Sequence, residues 1–328
     1  MSEERVTQPD DGALRGILEQ SAVVEHGFAH PDWSSVSEWV TARVAEEEWQ
    51  RVYHRLARLW VERLRQSWPG AAILDCGDFL LLTDLDPSSA ARLLRFAEDA
   101  WKRVLGFLSP LAEDGGYGPH VLLSFRGHER FVDYIAHFLP EEESSRPGGV
   151  LLTRGYVHIA IRAGKPSDYE STLVHELIHL SIVQRSLPLW LDEGLTQICE
   201  DRIAGRDPLQ IDVREMLRVR EYWRESGRLT DFWTGAGFFD SVDPHAAYLL
   251  ARVLVANLWS RYGAQFLEFA RQADWTDAGE AAALRCFGVG LSGCAETFLG
   301  AGQWFDGDAF RPAMSEWASD EEQSRENG

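Results

Sequence analysis

A chain of 328 residues that is 45% hydrophobic and 11% aromatic, with 13 tryptophans, has the length and apolar content to bury a large core in one or two domains, which excludes a disordered chain. Its formal net charge of -20, from 32 basic against 52 acidic residues, opposes phosphate backbones and anionic lipid, so neither nucleic acid nor membrane is expected as a partner. The 4 cysteines, Cys76, Cys199, Cys286 and Cys294, form no Cys-x-x-Cys pair, which argues against a disulfide framework and against a thiolate zinc ribbon.

Residues 1–32 mix Pro, Gly and acidic side chains without sustained periodicity and read as a loosely ordered lead-in. The opening MSEERVTQPDDG lacks the basic stub and apolar core of a signal peptide. The longest apolar stretch, 248–259, is interrupted by Arg252 and Asn257 and is too short to span a bilayer, so a soluble, cytoplasmic protein is expected. Over 34–68, Val36, Trp39, Val40, Val44, Val52, Leu56, Leu59, Trp60 and Leu64 recur every three or four residues, which predicts one amphipathic helix stopped by Pro69-Gly70.

An alternation of strand and helix patterns follows. The spacing predicts strands over 78–84 and 120–125 and helices over 88–107 and 128–139. Residues 150–153 and 156–161 read as two short strands joined through Arg154-Gly155, a two-residue hairpin connection. Ser167 and Glu170 have capping-box spacing, so a helix is expected from near Asp168, and Pro188 opens a second helix running through Glu200. Asp243-Pro244 repeats the cap-and-proline device at the head of a long helix that ends near Tyr262-Gly263, and 281–287 and 294–299 are expected to be helical. The order predicts an α+β fold with a small mixed β-sheet. It divides into a lead-in with its helix (1–70), an α+β subdomain (71–204) and a mainly helical C-terminal part (205–328).

The chemistry is concentrated in STLVHELIHLSIVQRSLPLWLDEGLTQICED, residues 171–201. On a helix His175 and His179 lie roughly 40° apart around the axis and about 6 Å along it, so both imidazoles converge on one ion, with Glu176 on the flank of that face. The ligand set suits a catalytic zinc, one per chain, which takes three protein ligands and leaves a fourth position for water. Ile182 and Arg185 stand where a metzincin needs Gly and His, which excludes that branch. Glu193, on the next helix beside Gly194, is the preferred third ligand; Asp192, about 100° away, competes for the place. Burying two histidines and a glutamate on an apolar helix is costly unless something charged pairs with them, which weighs against reading them as ordinary core residues. His120, His128, His137 and His158 show no spacing that adds a second site.

From about residue 78 to 300 the chain resembles the gluzincin metallopeptidases, in particular compact bacterial peptidase MA-like domains: strand, helix, strand, helix, a Gly-Gly-Val-led hairpin, HELIH, then PLWLDEGL. The resemblance implies a zincin-like fold with an active-site helix pair, zinc held by His175, His179 and Glu193, and Glu176 as general base. Members often carry a tyrosine on the following helix that stabilises the tetrahedral intermediate, which would carry over to Tyr248 in PHAAYLLARVL; His245, three residues earlier, would share or replace it. Gln197 and Glu200 would orient the ligands. No Gly-x-Met-Glu-Asn segment is present to hold a substrate amine, so an endopeptidase acting on a peptide or protein is expected rather than an exopeptidase. The competing readings are a catalytically silent zincin fold that binds or scaffolds, whose mark would be a lost ligand or base, and a zinc hydrolase of another amide.

Overall fold

The computed structural model of the chain describes residues 9–109, 111–112, 116–139, 148–207, 212–225, 229–239, 243–311 and 313–314, apart from the side chains of 166–168 and 225. The fold is α+β, in two compact units: residues 1–102 with 114–180, and residues 103–113 with 181–328.

In the first unit, helix α1 (Asp11–Gln20) is followed by a hairpin of β1 (Ala22–Glu25) and β2 (Phe28–Pro31), helices α2 (Trp33–Arg43) and α3 (Trp49–Gln66), and strands β3 (Ala72–Cys76) and β4 (Phe79–Thr83). Helix α4 (Pro87–Leu108), most of which belongs to this unit, leads to β5 (His120–Phe125), α5 (His128–Ile135), β6 (Gly149–Leu152), β7 (His158–Arg162) and α6 (Pro166–Ile182). Strands β3 to β7 form one sheet in the order β3-β4-β5-β7-β6, parallel at β4/β5 and β5/β7 and antiparallel at both margins. Parallel neighbours need crossover segments, and α4 and α5 supply them. Every residue of β4 and β5 is buried, which is why FLLLT and HVLLSF run apolar without alternating.

Several expectations are corrected. The lead-in contains regular structure from residue 11: the Asp10 carboxylate accepts the Ala13 N–H at 2.8 Å to start α1, Leu14 and Leu18 are buried, and β1 turns into β2 through His26 and Gly27, both at positive φ. The single helix over 34–68 is two helices, because Val44 and Ala45 are extended (ψ 138 and 143) before a 3₁₀ turn, Glu46–Glu48, that puts three carboxylates at the head of α3. Strand β3 went unpredicted because its burial does not alternate, and α5 stops at Ile135 rather than 139. Leu152 pairs with His158, so the β6/β7 connection is a five-residue loop over 153–157 rather than two residues. Helix α6 begins at Pro166; the proposed cap side chain, Ser167, lies outside the described residues. Residues of α1, α2 and α3 share one core with the sheet: Leu56, Trp60 and Leu64 belong to the same buried cluster as Leu80, Leu82, Val121 and Leu123.

In the second unit the described elements are helical: α7 (Leu189–Ile203), α8 (Val213–Glu225), α9 (Leu229–Thr234), α10 (Pro244–Tyr262), α11 (Ala264–Gln272), α12 (Glu280–Phe287) and α13 (Leu291–Leu299), with short 3₁₀ turns. The Asp243 carboxylate accepts the Ala246 N–H at 3.2 Å with Pro244 in the first turn, so α10 starts where its cap-and-proline sequence directs. Ten residues of α10 are buried, the all-round apolar character of a central helix. Helix α7 crosses α10 at Gly194, where a Cβ would lie 2.5 Å from Val255 Cγ2 and 2.7 Å from the Ala251 carbonyl oxygen, so only glycine permits that approach. No helix among the described residues is long and apolar enough to cross a membrane.

Candidate metal centre

Helix α6 is apolar nearly all round, with Leu173, Val174, Leu177, Ile178, Leu180 and Ile182 buried, and its polar groups are the exceptions that need explanation. His175 and His179 are half-buried, and their Nε2 atoms lie 3.1 Å apart with the rings edge to face. A tetrahedral zinc with bonds of about 2.0 to 2.2 Å holds its ligand atoms roughly 3.3 to 3.6 Å from one another, so the two nitrogens already stand near the spacing of a shared ion.

Glu193, buried in the first turn and a half of α7, completes the set. One ligand atom each from His175, His179 and Glu193 all lie within 4.8 Å of one another, and among the described residues these three form the one group of His, Cys, Asp or Glu able to hold a metal ion. Asp192 is not in that group. Two imidazoles and one carboxylate, with a further position left for water, is the donor chemistry of a catalytic zinc, and the residues present fit that ion. Gly194 bears on the placement locally: α7 and α10 approach so closely there that the main chain carrying Glu193 is held against α10.

Glu176, which follows His175 on α6, is 7% exposed. Its Oε2 accepts the Leu151 N–H at 2.7 Å. The register of β6 on β7 gives the reason that donor is available. Arg162 N–H bonds to Gly148 C=O, so residues 148, 150 and 152 turn their main-chain groups toward β7, and Gly149 and Leu151 turn theirs to the margin of the sheet. Gly149 lets α6 run along that margin, since a Cβ there would meet Thr172 Cγ2 at 2.7 Å, and Thr172 and Glu176 share one helix face.

The other candidates have different surroundings. The Tyr248 ring is half-buried edge-on to Phe238, and its carbonyl accepts from Gln197 Nε2 at 3.0 Å. His245 is exposed, with Nε2 2.6 Å from Glu215 Oε1. Gln197 reaches the main chain, bonding the Glu193 carbonyl at 3.3 Å as well, and so ties α7 to α10 without touching a ligand carboxylate. Glu200 pairs with Arg206 at 3.1 Å.

Two parts of this neighbourhood are absent from the sequence reading. The Leu151 N–H is a main-chain group and carries no residue-type signal. Asp201, 7% exposed, accepts a hydrogen bond from Arg206 Nε at 2.8 Å and forms an ion pair with Arg252 Nη2 at 2.7 Å, clamping the end of α7 to α10. The partners are 51 residues apart, and Arg252 reads in the sequence only as an interruption of an apolar run.

Compared with protein-family models and with curated proteins, the chain matches none of either.

Proposed function

We propose that this chain is a zinc-dependent endopeptidase with a zincin-like fold. The observation that carries the reading is the convergence of His175, His179 and Glu193 within 4.8 Å beside a buried carboxylate, Glu176, held by a strand N–H. When bound, zinc would acidify water to a pKa of about 7 and offset negative charge as it develops on a carbonyl oxygen.

The chain's own groups supply the rest. His175 and His179 would hold the ion through imidazole nitrogens, and Glu193 through its carboxylate. With Oε2 of Glu176 engaged by Leu151, Oε1 takes the proton from the attacking water as the water oxygen bonds to the substrate carbonyl carbon. Glu176 then delivers that proton to the amine nitrogen as the C–N bond breaks. The Tyr248 hydroxyl donates to the oxyanion, a contribution of about 3 to 4 kcal/mol by comparison with other oxyanion donors. No step is assigned to His245.

The test is metal analysis of wild type and Glu176→Gln by mass spectrometry, together with cleavage of a diverse peptide library. About one zinc per chain is expected in both proteins, with cleavage at internal bonds in the wild type and a loss of 10²-fold or more in the variant. Equal cleavage by the two removes Glu176 from the reaction, and a zinc-loaded wild type that cleaves nothing sinks the peptidase reading in favour of a binding role. Glu193→Ala should strip the metal; if Asp192→Ala does so instead, the third ligand is misassigned.

A further inference from the structure

Helix α7 meets α10 along one stripe of side chains. Gly194, Gln197 and Asp201 follow one another at intervals of three and four residues on α7, so they share a helix face. Each touches α10 differently: Gly194 by close packing on Ala251 and Val255, Asp201 by its ion pair with Arg252, and Gln197 by a hydrogen bond. Of the three, the hydrogen bond is the one whose strength depends steeply on both distance and angle, so it resists a slide of one helix along the other.

The Gln197 side chain joins two particular residues. Its Nε2 donates to the Tyr248 carbonyl oxygen on α10 at 3.0 Å and to the Glu193 carbonyl oxygen on its own helix at 3.3 Å. A glutamine amide carries two N–H donors on one nitrogen, so a single atom serves both acceptors. Both carbonyls lie inside helices, and a carbonyl oxygen keeps a second lone pair beyond its intrahelical bond. Neither carbonyl depends on Gln197 for a partner, and the effect of the two bonds is therefore geometric. Gln197 is half-buried, where water competes for the amide less than it does at the surface. The Tyr248 ring is held from another side, edge-on to Phe238 with centroids 5.0 Å apart. A metal and a phenol that bracket one carbonyl oxygen must each stand within about 0.5 Å of the productive place.

We infer, resting on the peptidase reading, that Gln197 is a positioning residue: through one amide nitrogen it sets the distance between the metal that Glu193 holds and the Tyr248 phenol.

Cobalt(II) is the probe, because it accepts the donors that suit zinc and, being paramagnetic, displaces nearby resonances with a steep dependence on distance. In the full-length protein loaded with cobalt and carrying ¹³C-labelled tyrosine, the Tyr248 ring signal is assigned by its loss in Tyr248→Phe. Gln197→Met, of similar length without a donor, and Gln197→Glu, of the same shape, should each bind one cobalt per chain as tightly as the wild type and move the Tyr248 signal. In the zinc forms kcat for peptide cleavage should fall about tenfold with KM unchanged, and adding Gln197→Met to Tyr248→Phe should cost nothing further. An unmoved Tyr248 signal in both variants overturns the inference. So does the same tenfold loss in the Tyr248→Phe background, or loss of the metal along with the amide. If the wild type takes up cobalt but its zinc form cleaves nothing, the peptidase reading fails alone, and the Tyr248 signal still upholds or overturns the role of Gln197. A chain that takes up no cobalt overturns both.

Discussion

Gly194→Ala adds one methyl group at the crossing of α7 and α10, next to Glu193, the proposed third metal ligand. The new Cβ would fall about 0.7 to 0.9 Å short of ordinary contact with the Ala251 carbonyl oxygen and Val255 Cγ2. A carbonyl oxygen within a helix cannot rotate away, so the two helices must part. Overpacking of this kind costs about 1 to 3 kcal/mol, and the gain in helix propensity from Gly to Ala returns about 1. A net loss of about 1 kcal/mol lowers the melting temperature by about 2 to 4 °C in a unit of this size. The effect on the metal should be larger in proportion. Ligand positions tolerate about 0.2 Å, and a shift several times that at the neighbouring residue carries Glu193 off its place, so zinc affinity should fall about 10 to 100-fold in a chelator competition. Gly106→Ala is the control, because that glycine is exposed within α4 with nothing within 4 Å of its Cβ position, and it should stabilise by about 0.5 to 1 kcal/mol. A Gly194→Ala protein with wild-type melting and wild-type zinc affinity would refute the account of how Glu193 is positioned.

Acid should unfold the first unit through its buried imidazoles. Burial chiefly lowers His30 to about 3 and His158 to about 4, so above the ordinary value near 6.5 neither folded nor unfolded chain is protonated and no penalty exists; as pH falls below 6.5 the unfolded chain binds protons that the folded one refuses, down to about 4 for His158 and 3 for His30. At pH 5 each histidine should have removed about 2 kcal/mol, read as a lower urea midpoint than at pH 7.5; His158→Gln should recover about half of that drop, and an unchanged midpoint contradicts the reading. Asp201→Asn breaks a carboxylate from two arginines. Because Arg206 is half exposed, the loss should be about 2 kcal/mol rather than the larger value of a wholly buried pair, with the denaturant slope unchanged, and a loss that vanishes in 1 M salt would mark the cluster as superficial.

The parts of this molecule that announce themselves in sequence are those whose signal is local. The two histidines four apart, the Glu-Gly pair after Pro188, the Asp243-Pro244 cap and the unbroken apolar runs of β4 and β5 each state their geometry within a few residues. What stayed hidden has partners far off or no side chain at all. The break at Val44 and Ala45 leaves the apolar spacing of 34–68 intact, because Val44 is buried in the extended linker as it would be in a continuous helix. β3 is a marginal strand whose exposed Ala72 and Asp75 blur any alternation. The bond that orients Glu176 is made by a main-chain N–H, and Asp201 meets Arg252 only after α7 and α10 have packed.

The bond between Glu176 and Leu151 bears on how the protein behaves in a crowded solution. A strand at the margin of a sheet offers unmet N–H groups to any other chain, a route to self-adhesion and fibres. Here the donor at Leu151 is already covered by a carboxylate from within the same unit. Trimming that side chain to alanine would bare the donor and invite copies to stick, whereas glutamine keeps an acceptor over it. The same oxygen atom thus serves as a cap on the sheet's open flank, and colloidal stability is tied to it.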